Sequence, residues 1–160
     1  MNSDPDVMEY FPALLSHEES NEMASEIQRR INKNGWGFWA VEEKKSKKFI
    51  GFVGLNQPTY ELPFNPCVEI GWRLAKEFWG YGYATEAGIK ALEYAFETLL
   101  LNEVVSFTPV SNKRSEAVMQ RLGMNNSQRN FNHPEVPANS QLYEHLLYKI
   151  SRRQWQSSNT

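Results

Sequence analysis

Cysteine is almost absent from this 160-residue sequence, because Cys67 is the only one. A single cysteine excludes an intrachain disulfide and is typical of a reducing compartment, where it usually packs as a small apolar side chain. No apolar run approaches the roughly 20 residues of a membrane-spanning helix, and the start of the chain lacks the basic and apolar segments of a secretory signal. We therefore expect a cytoplasmic protein with no membrane partner.

A block of basic residues is also missing. The 17 basic and 19 acidic side chains are interspersed along the chain and leave a formal net charge of −2. Because a protein that binds a phosphate backbone concentrates Lys and Arg on one surface, nucleic acid is not expected as a partner. The length suits one domain over residues 1–160, and an aromatic content of 13% supplies large side chains for a small α/β core.

The first half of the chain carries signals for a helix and a β-hairpin. A capping box beginning at Ser16 and a helical recurrence of apolar residues up to Gly35 predict a helix from His17 to Asn34. Two aromatic and β-branched runs on either side of a charged turn predict antiparallel strands over Trp36–Val41 and Phe49–Leu55.

Two segments of this half do not show a regular pattern. The apolar residues among positions 7–11 are too few for a domain and are expected to pack as a lid. Pro58, Pro63 and Pro66 lie within nine residues, which predicts a surface loop of the kind that often borders a functional site.

The second half predicts a βαβ unit followed by a short helix. Val68–Leu74 and Glu103–Thr108 have the composition of strands, and Tyr83–Leu100 between them has the periodicity of a helix, so the two strands should be parallel. The short helix should begin near Asn112 and end at Gly123 in a Schellman motif. Weaker strand signals cover Asn125–Phe131 and Leu142–Ile150.

A glycine-spaced turn between the Val68–Leu74 strand and the following helix carries the strongest chemical signal. Glycines allow the backbone to approach an anion closely, and the free N–H groups at a helix start can hold a pyrophosphate without a basic side chain. The spacing alone is weak evidence, because a bare G-x-G more often serves only the backbone conformation of a tight turn. No Lys-Ser/Thr pair completes a P-loop and no third glycine completes a dinucleotide fingerprint. The turn contains Trp79, Gly80, Tyr81, Gly82, Tyr83, Ala84 and Thr85.

The residues around this turn resemble a known family. The segments Glu69–Ala75 and Trp79–Ala87 look like those of GNAT acetyltransferases of the RimJ/RimL-like branch. Residues 112–115 with 121–124, and the segment His145–Tyr148, resemble the next two family blocks, so that the resemblance extends over nearly the whole chain. It implies an α/β (α+β) GNAT fold with flanking helices and a mixed, mostly antiparallel sheet in which one parallel strand pair is splayed.

The resemblance also implies where acetyl-coenzyme A would bind. In the family, the pantetheine arm lies between the splayed strands, so backbone groups near Trp72 and Leu74 should pair with it. The N–H groups from about Gly80 to Thr85 should hold the pyrophosphate, and no metal is expected. One departure is Glu77, which stands where the family usually has Gln or Arg, and we expect it to turn outward while Lys76 supplies positive charge.

Asn112 commonly contacts the coenzyme in family members, and Ser115 lies where some relatives place a hydroxyl near the departing thiolate. Each also has a structural interpretation, because Asn is a frequent N-cap and Ser is a common solvated residue of a first helical turn. Asn112 is therefore predicted to bind the coenzyme, and Ser115 is a weaker catalytic candidate.

Family chemistry needs a proton acceptor for the attacking amine. Glu69 is the preferred candidate, since a carboxylate on the coenzyme strand beside apolar neighbours should have a raised pKa. A structural ion pair is the competing interpretation. His133 in a Pro-flanked loop and His145 on a strand are alternative bases, although a lone histidine is usually structural.

The sequence therefore predicts an N-acetyltransferase that moves an acetyl group from acetyl-coenzyme A to a primary amine by direct attack in a ternary complex. The acceptor is expected to be either a protein amino terminus or a small amine. The alternatives are a catalytically weak acyl-coenzyme A-binding module and a flavin- or nucleotide-binding domain. The sequence shows no counterpart of the first strand of the family, so Trp36–Val41 would be a sheet edge, which favours a homodimer or a higher oligomer. A start codon assigned too far downstream would explain the same absence.

Overall fold

A computed structural model describes residues 1–158 and shows a seven-stranded mixed sheet with helices on both faces. The two remaining positions of the domain predicted over 1–160 lie outside the described residues. The helices are α1 (His17–Asn34), α2 (Tyr83–Glu93), α3 (Lys113–Arg121) and α4 (Arg152–Ser158). The strands are β1 (Phe38–Glu43), β2 (Lys48–Asn56), β3 (Glu69–Leu74), β4 (Glu103–Pro109), β5 (Asn125–Asn126), β6 (Phe131–Asn132) and β7 (Glu144–Ser151).

Helix α1 begins and ends at the residues that its capping signals predict. The Ser16 hydroxyl accepts from the Glu19 N–H at 3.1 Å, and the Glu19 carboxylate accepts from the Ser16 N–H at 2.7 Å. Gly35 ends the helix in the left-handed region at φ 79° and donates to the Ile31 carbonyl. These local hydrogen bonds satisfy backbone groups that a helix end leaves free.

The strands follow the order β1-β2-β3-β4-β7-β5, and β6 also pairs with β7. All neighbours are antiparallel except β3 and β4, which are parallel. Only Glu69 and Val105 are paired in register between these two strands, whereas β4 and β7 pair along their whole length. The strands β3 and β4 therefore pair where β3 begins and separate towards their carboxyl ends, which confirms the predicted sheet with one parallel pair.

Each face of the sheet has its own apolar cluster. Helices α2, α3 and α4 cover one face, where Ile70, Leu92 and Val104 are almost fully buried. On the other face, Val105 and Leu147 pack against aromatic side chains of the proline-containing loop. Alternation along β3 places Ile70, Trp72 and Leu74 on the α2 side and Glu69 on the opposite side.

The structure differs from the sequence prediction at several element ends. The helix predicted over Tyr83–Leu100 is α-helical to Glu93 and continues as a π-helix over Tyr94–Thr98. The strand predicted over Asn125–Phe131 is interrupted, because the Asn126 side chain accepts from the Gln128 N–H at 2.8 Å and makes a local turn. Helix α4 was not predicted and is anchored by the buried Trp155.

Candidate active site

The glycine turn has the geometry that its sequence predicts. Gly80 and Gly82 lie at φ 81° and 83°, in the left-handed region that side chains other than glycine rarely adopt. Gly82 is the N-cap of α2 and has no side chain to satisfy the helix start. Among the described residues, no hydrogen bond is donated by the N–H groups of residues 80–85. The turn therefore presents free donors at a helix N-terminus, which suits an anion such as a pyrophosphate.

A gap between β3 and β4 opens beside this turn. The Val68 carbonyl accepts from the Val105 N–H at 3.0 Å, and the Ile70 carbonyl accepts from the Ser106 hydroxyl at 2.9 Å. Because backbone groups alternate along a strand, those of Trp72 and Leu74 also point towards β4, where the strands have separated. These backbone groups are therefore available to an extended ligand that contains amides.

The indole of Trp79 fixes the turn to the end of β3. Its Nε1 donates to the Leu74 carbonyl at 2.9 Å, so that one of the predicted pantetheine partners already accepts a hydrogen bond. The Leu74 N–H stays directed into the gap.

The cations near the turn are arranged differently from the prediction. Glu77 is exposed as expected, but the Lys76 ammonium pairs with the Asp6 carboxylate at 2.6 Å. Arg114, at the start of α3, lies 4.5 Å over the Trp79 ring and pairs with Glu9 at 2.7 Å. Sequence reasoning missed Arg114 because its proximity to Trp79 depends on how α3 packs.

The segment before α1 spans the wide end of the gap. Asp6 contacts Lys76 just after β3, Glu9 contacts Arg114 beyond β4, and Val7 and Met8 between these contacts are buried. Turns rather than a regular helix make up this segment. Exposed ion pairs of this kind contribute little to stability. The role of this segment as a lid stays a prediction.

Asn112 and Ser115 lie together at the start of α3. The Asn112 Oδ1 accepts from the Ser115 N–H at 3.1 Å, and its Nδ2 donates to the hydroxyls of Thr108 and Ser115. Asn112 is thus an N-cap whose side-chain donors and acceptor are in use. Ser115 lies beyond the end of β4. Thr108, whose hydroxyl accepts from the same Asn112 amide as that of Ser115, faces the α2 side of the sheet. The role of either residue towards the coenzyme stays a prediction.

Glu69 lies at the narrow end of the gap, on the face opposite α2. Burial raises the pKa of its carboxyl group to about 7, although a hydrogen bond from Asn56 and the charge of Arg30 both oppose this effect. Asn56 Nδ2 donates to Glu69 Oε1 at 2.7 Å. The raised pKa agrees with the sequence prediction, and Glu69 has no direct ionic partner among the described residues.

The two histidines that were alternative bases pack against each other. The rings of His133 and His145 are 4.8 Å apart, and both side chains are buried among aromatic residues. Burial lowers the pKa of each, and that of His145 falls to about 4 with a further contribution from His133. Tyr60 lies 5.1 Å from the His133 ring, and the charge of Glu69 helps to raise its pKa.

The structure therefore brings Glu69 and His133 to the same face of the sheet and leaves Ser115 on the other. Tyr60 and Cys67, from the proline-containing loop, also lie near Glu69, since its charge contributes to the raised pKa of both. The proline spacing in the sequence indicated this loop but not which side chains would face Glu69. Within residues 1–158, no three metal-ligating side chains come together.

Comparison with known proteins places this geometry in a family. Residues 1–125 match the family described as the acetyltransferase (GNAT) domain, which accounts for most of the chain. The chain belongs to the GNAT acetyltransferase family.

Within the part of the chain that the structure describes, no helix is both long enough and apolar enough to cross a lipid bilayer.

Relatives of this GNAT chain include bacterial and fungal proteins. It is 31% identical over 134 residues to the uncharacterized protein YkkB of Bacillus subtilis, covering 82% of this chain and 77% of that one. It is 34% identical over 125 residues to an FsC-acetyl coenzyme A-N(2)-transacetylase of Aspergillus fumigatus, covering 76% of this chain. The chain spans about half of the fungal protein, 52% of its length.

A solved structure shares the GNAT fold. Spermidine N-acetyltransferase from Vibrio cholerae, in complex with CoA and spermine, superposes with a TM-score of 0.74 over 97% of this chain and 88% of that one. At 21% sequence identity, this likeness shows the fold alone.

Proposed function

We propose that this protein is an acetyl-coenzyme A-dependent N-acetyltransferase that acetylates a primary amine by direct attack in a ternary complex. The observation that carries the proposal is the gap between β3 and β4, which has free N–H donors at its wide end and the Glu69 carboxylate at its narrow end.

The backbone groups around the gap offer hydrogen-bond partners for the coenzyme. The N–H groups of residues 80–85 would hold the pyrophosphate, and the backbone of Trp72 and the Leu74 N–H would pair with the pantetheine amides. When bound, the coenzyme supplies a thioester as the acetyl donor. The protein contributes alignment of the two substrates and exclusion of water, which are large terms in catalysis.

Glu69 is the proton acceptor best matched to neutral pH. A general base is most effective when its pKa lies near the working pH, and the carboxyl of Glu69 has a pKa of about 7. His145, with a pKa of about 4, is a weak base by comparison. We assign Glu69 the role of accepting the amine proton, directly or through one water.

The acceptor is proposed to be a protein amino terminus or a small amine. The segment Glu69–Ala75 and the glycine turn support membership of the RimJ/RimL-like branch. The fungal relative is named for acetylating FsC, and the Vibrio structure contains spermine, so small amines belong in any test. The single cysteine supports a cytoplasmic location.

A screen of amines with acetyl-coenzyme A, followed by release of free thiol, tests the proposal. The panel should include peptides with free amino termini, polyamines and FsC, for which the fungal relative is named. We expect amine-dependent thiol release with at least one class. Saturable binding of acetyl-coenzyme A without turnover on any amine would instead support an acyl-coenzyme A-binding module. Visible absorbance from a purified flavin complex would support a flavin-binding domain.

A further inference from the structure

A chain of hydrogen bonds connects helix α1 to the carboxylate of Glu69. Arg30 Nε donates to Glu26 Oε1 at 2.7 Å, and Arg30 Nη1 donates to Asn56 Oδ1 at 2.7 Å. Asn56 Nδ2 then donates to Glu69 Oε1 at 2.7 Å. The register of the sheet explains the last contact, because Asn56 on β2 is directly opposite Glu69 on β3.

The partners of Asn56 determine the orientation of its amide. A guanidinium can only donate hydrogen bonds and an ionised carboxylate can only accept them. The amide oxygen must therefore face Arg30, and the amide nitrogen must face Glu69. A flipped amide would place donor against donor and acceptor against acceptor.

We propose that Arg30 is a positioning residue that acts on Glu69 through the side-chain amide of Asn56. By holding the Asn56 oxygen, Arg30 directs the amide N–H at Glu69 Oε1, which leaves Oε2 free for the proton of the amine or its bridging water. The positive charge polarises the amide and favours the ionised carboxylate. This role deepens the proposed function and rests on Glu69 being the proton acceptor.

The other groups around Glu69 do not supply a positive charge. Tyr60 and Cys67 face it from the loop before β3, and burial raises the pKa of the phenol and raises that of the thiol to about 11, so both are neutral near pH 7. Asn56 is its neighbour on β2, and the apolar Val105 is its neighbour on β4. Arg30 on α1 is the cation whose charge lowers the pKa of Glu69, and Glu26 lies behind it.

The pKa of Glu69 can be measured without any substrate, by ¹³C NMR titration of its side-chain carboxyl, assigned by comparison with Glu69→Gln. We expect Arg30→Met to raise this pKa by about one unit, because both the charge and the orientation of Asn56 are lost. The lower limb of the kcat pH profile should move to higher pH by the same amount. Turnover at pH 7 should then fall roughly fivefold and recover by about pH 9, and Arg30→Lys should restore part of the shift.

Arg29→Met is the matched control. Arg29 also pairs with Glu26 from the same helix, but it is largely exposed and has no hydrogen bond to Asn56. Its removal should leave both the Glu69 pKa and the pH profile unchanged. If Arg30→Met does not fold, the isosteric variant Asn56→Asp takes its place. The new carboxylate still accepts from Arg30, but it places a second acidic group next to Glu69, which should also raise the pKa of Glu69.

The outcomes separate this inference from the proposed function. An unchanged Glu69 pKa in the folded Arg30→Met and Asn56→Asp variants would overturn the inference while leaving Glu69 as the base. Equal shifts in Arg29→Met and Arg30→Met would also overturn it, since the effect would then be one of general charge. Full activity of Glu69→Gln, with an unchanged pH profile, would instead remove the proposed base and with it the catalytic role of Arg30.

Discussion

Substitution of Gly82 should abolish coenzyme binding. It should also lower the stability of the protein, and the same substitution at Gly35 serves as a control for that loss. Gly82 and Gly35 have nearly the same backbone conformation, with φ 83° and ψ 1° in the first and φ 79° and ψ −3° in the second. A Cβ added at either position meets no atom within 4 Å. The strain of a left-handed residue, about 1–2 kcal/mol, is therefore expected to be the same for Gly82→Leu and Gly35→Leu.

For a chain of this length, about 1 kcal/mol corresponds to roughly 2–4 °C in Tm. Both variants should therefore melt a few degrees below the wild type, to a similar extent. Acetyl-coenzyme A at about 100 times its Kd should stabilise the wild type by about 2.7 kcal/mol, or roughly 5–11 °C. Gly35→Leu should keep this increase, because Gly35 lies at the end of α1, away from the turn.

Gly82→Leu should lose the increase, because a side chain at the start of α2 obstructs the close approach of a pyrophosphate to the free N–H groups. Differential scanning fluorimetry over a series of coenzyme concentrations measures both effects. Retention of the full ligand-induced increase in Gly82→Leu would refute the assignment of this turn to the pyrophosphate. Loss of the increase in both variants would show that strain, and not local contact, was responsible.

Three further predictions concern the base, the histidine pair and the sheet edge. Glu69→Gln should lower turnover at neutral pH more than it weakens coenzyme binding, as seen by comparing kcat with the thermal shift; retained turnover, with loss only in histidine variants, would place the base elsewhere. In the unfolded chain His145 is protonated below about pH 6.5, whereas in the folded protein it takes up a proton only near pH 4. The stability of the folded protein should therefore fall as the pH drops between these two values. His145→Phe should show a smaller loss of Tm between pH 7 and pH 5, and an identical pH dependence would contradict the assignment. Strand β1 is an outer strand of the sheet, so we expect a homodimer that covers it; a monomer by light scattering, with rapid amide exchange in β1, would argue against this.

Much of the fold follows from signals that act over a few residues. The limits of α1 depend on hydrogen bonds between neighbours at Ser16 and Gly35, and the sequence shows both. The Schellman motif at Gly123 is confirmed, since Met124 donates to the Met119 carbonyl and Gly123 donates to that of Gln120. The left-handed glycines before α2 are also a local feature that the sequence shows, because their conformation depends on the turn itself.

The candidate active site depends more on contacts between distant parts of the chain than the helix ends do. The sequence determined that a glycine turn with free N–H groups precedes α2, and that Glu69 lies on the strand before it. Only the tertiary structure decided that Asn56 and Arg30 contact Glu69, that His133 packs on His145, and that Lys76 pairs with Asp6. These partners come from separate elements, so their contacts depend on strand register and helix docking, which the packing of the whole core determines.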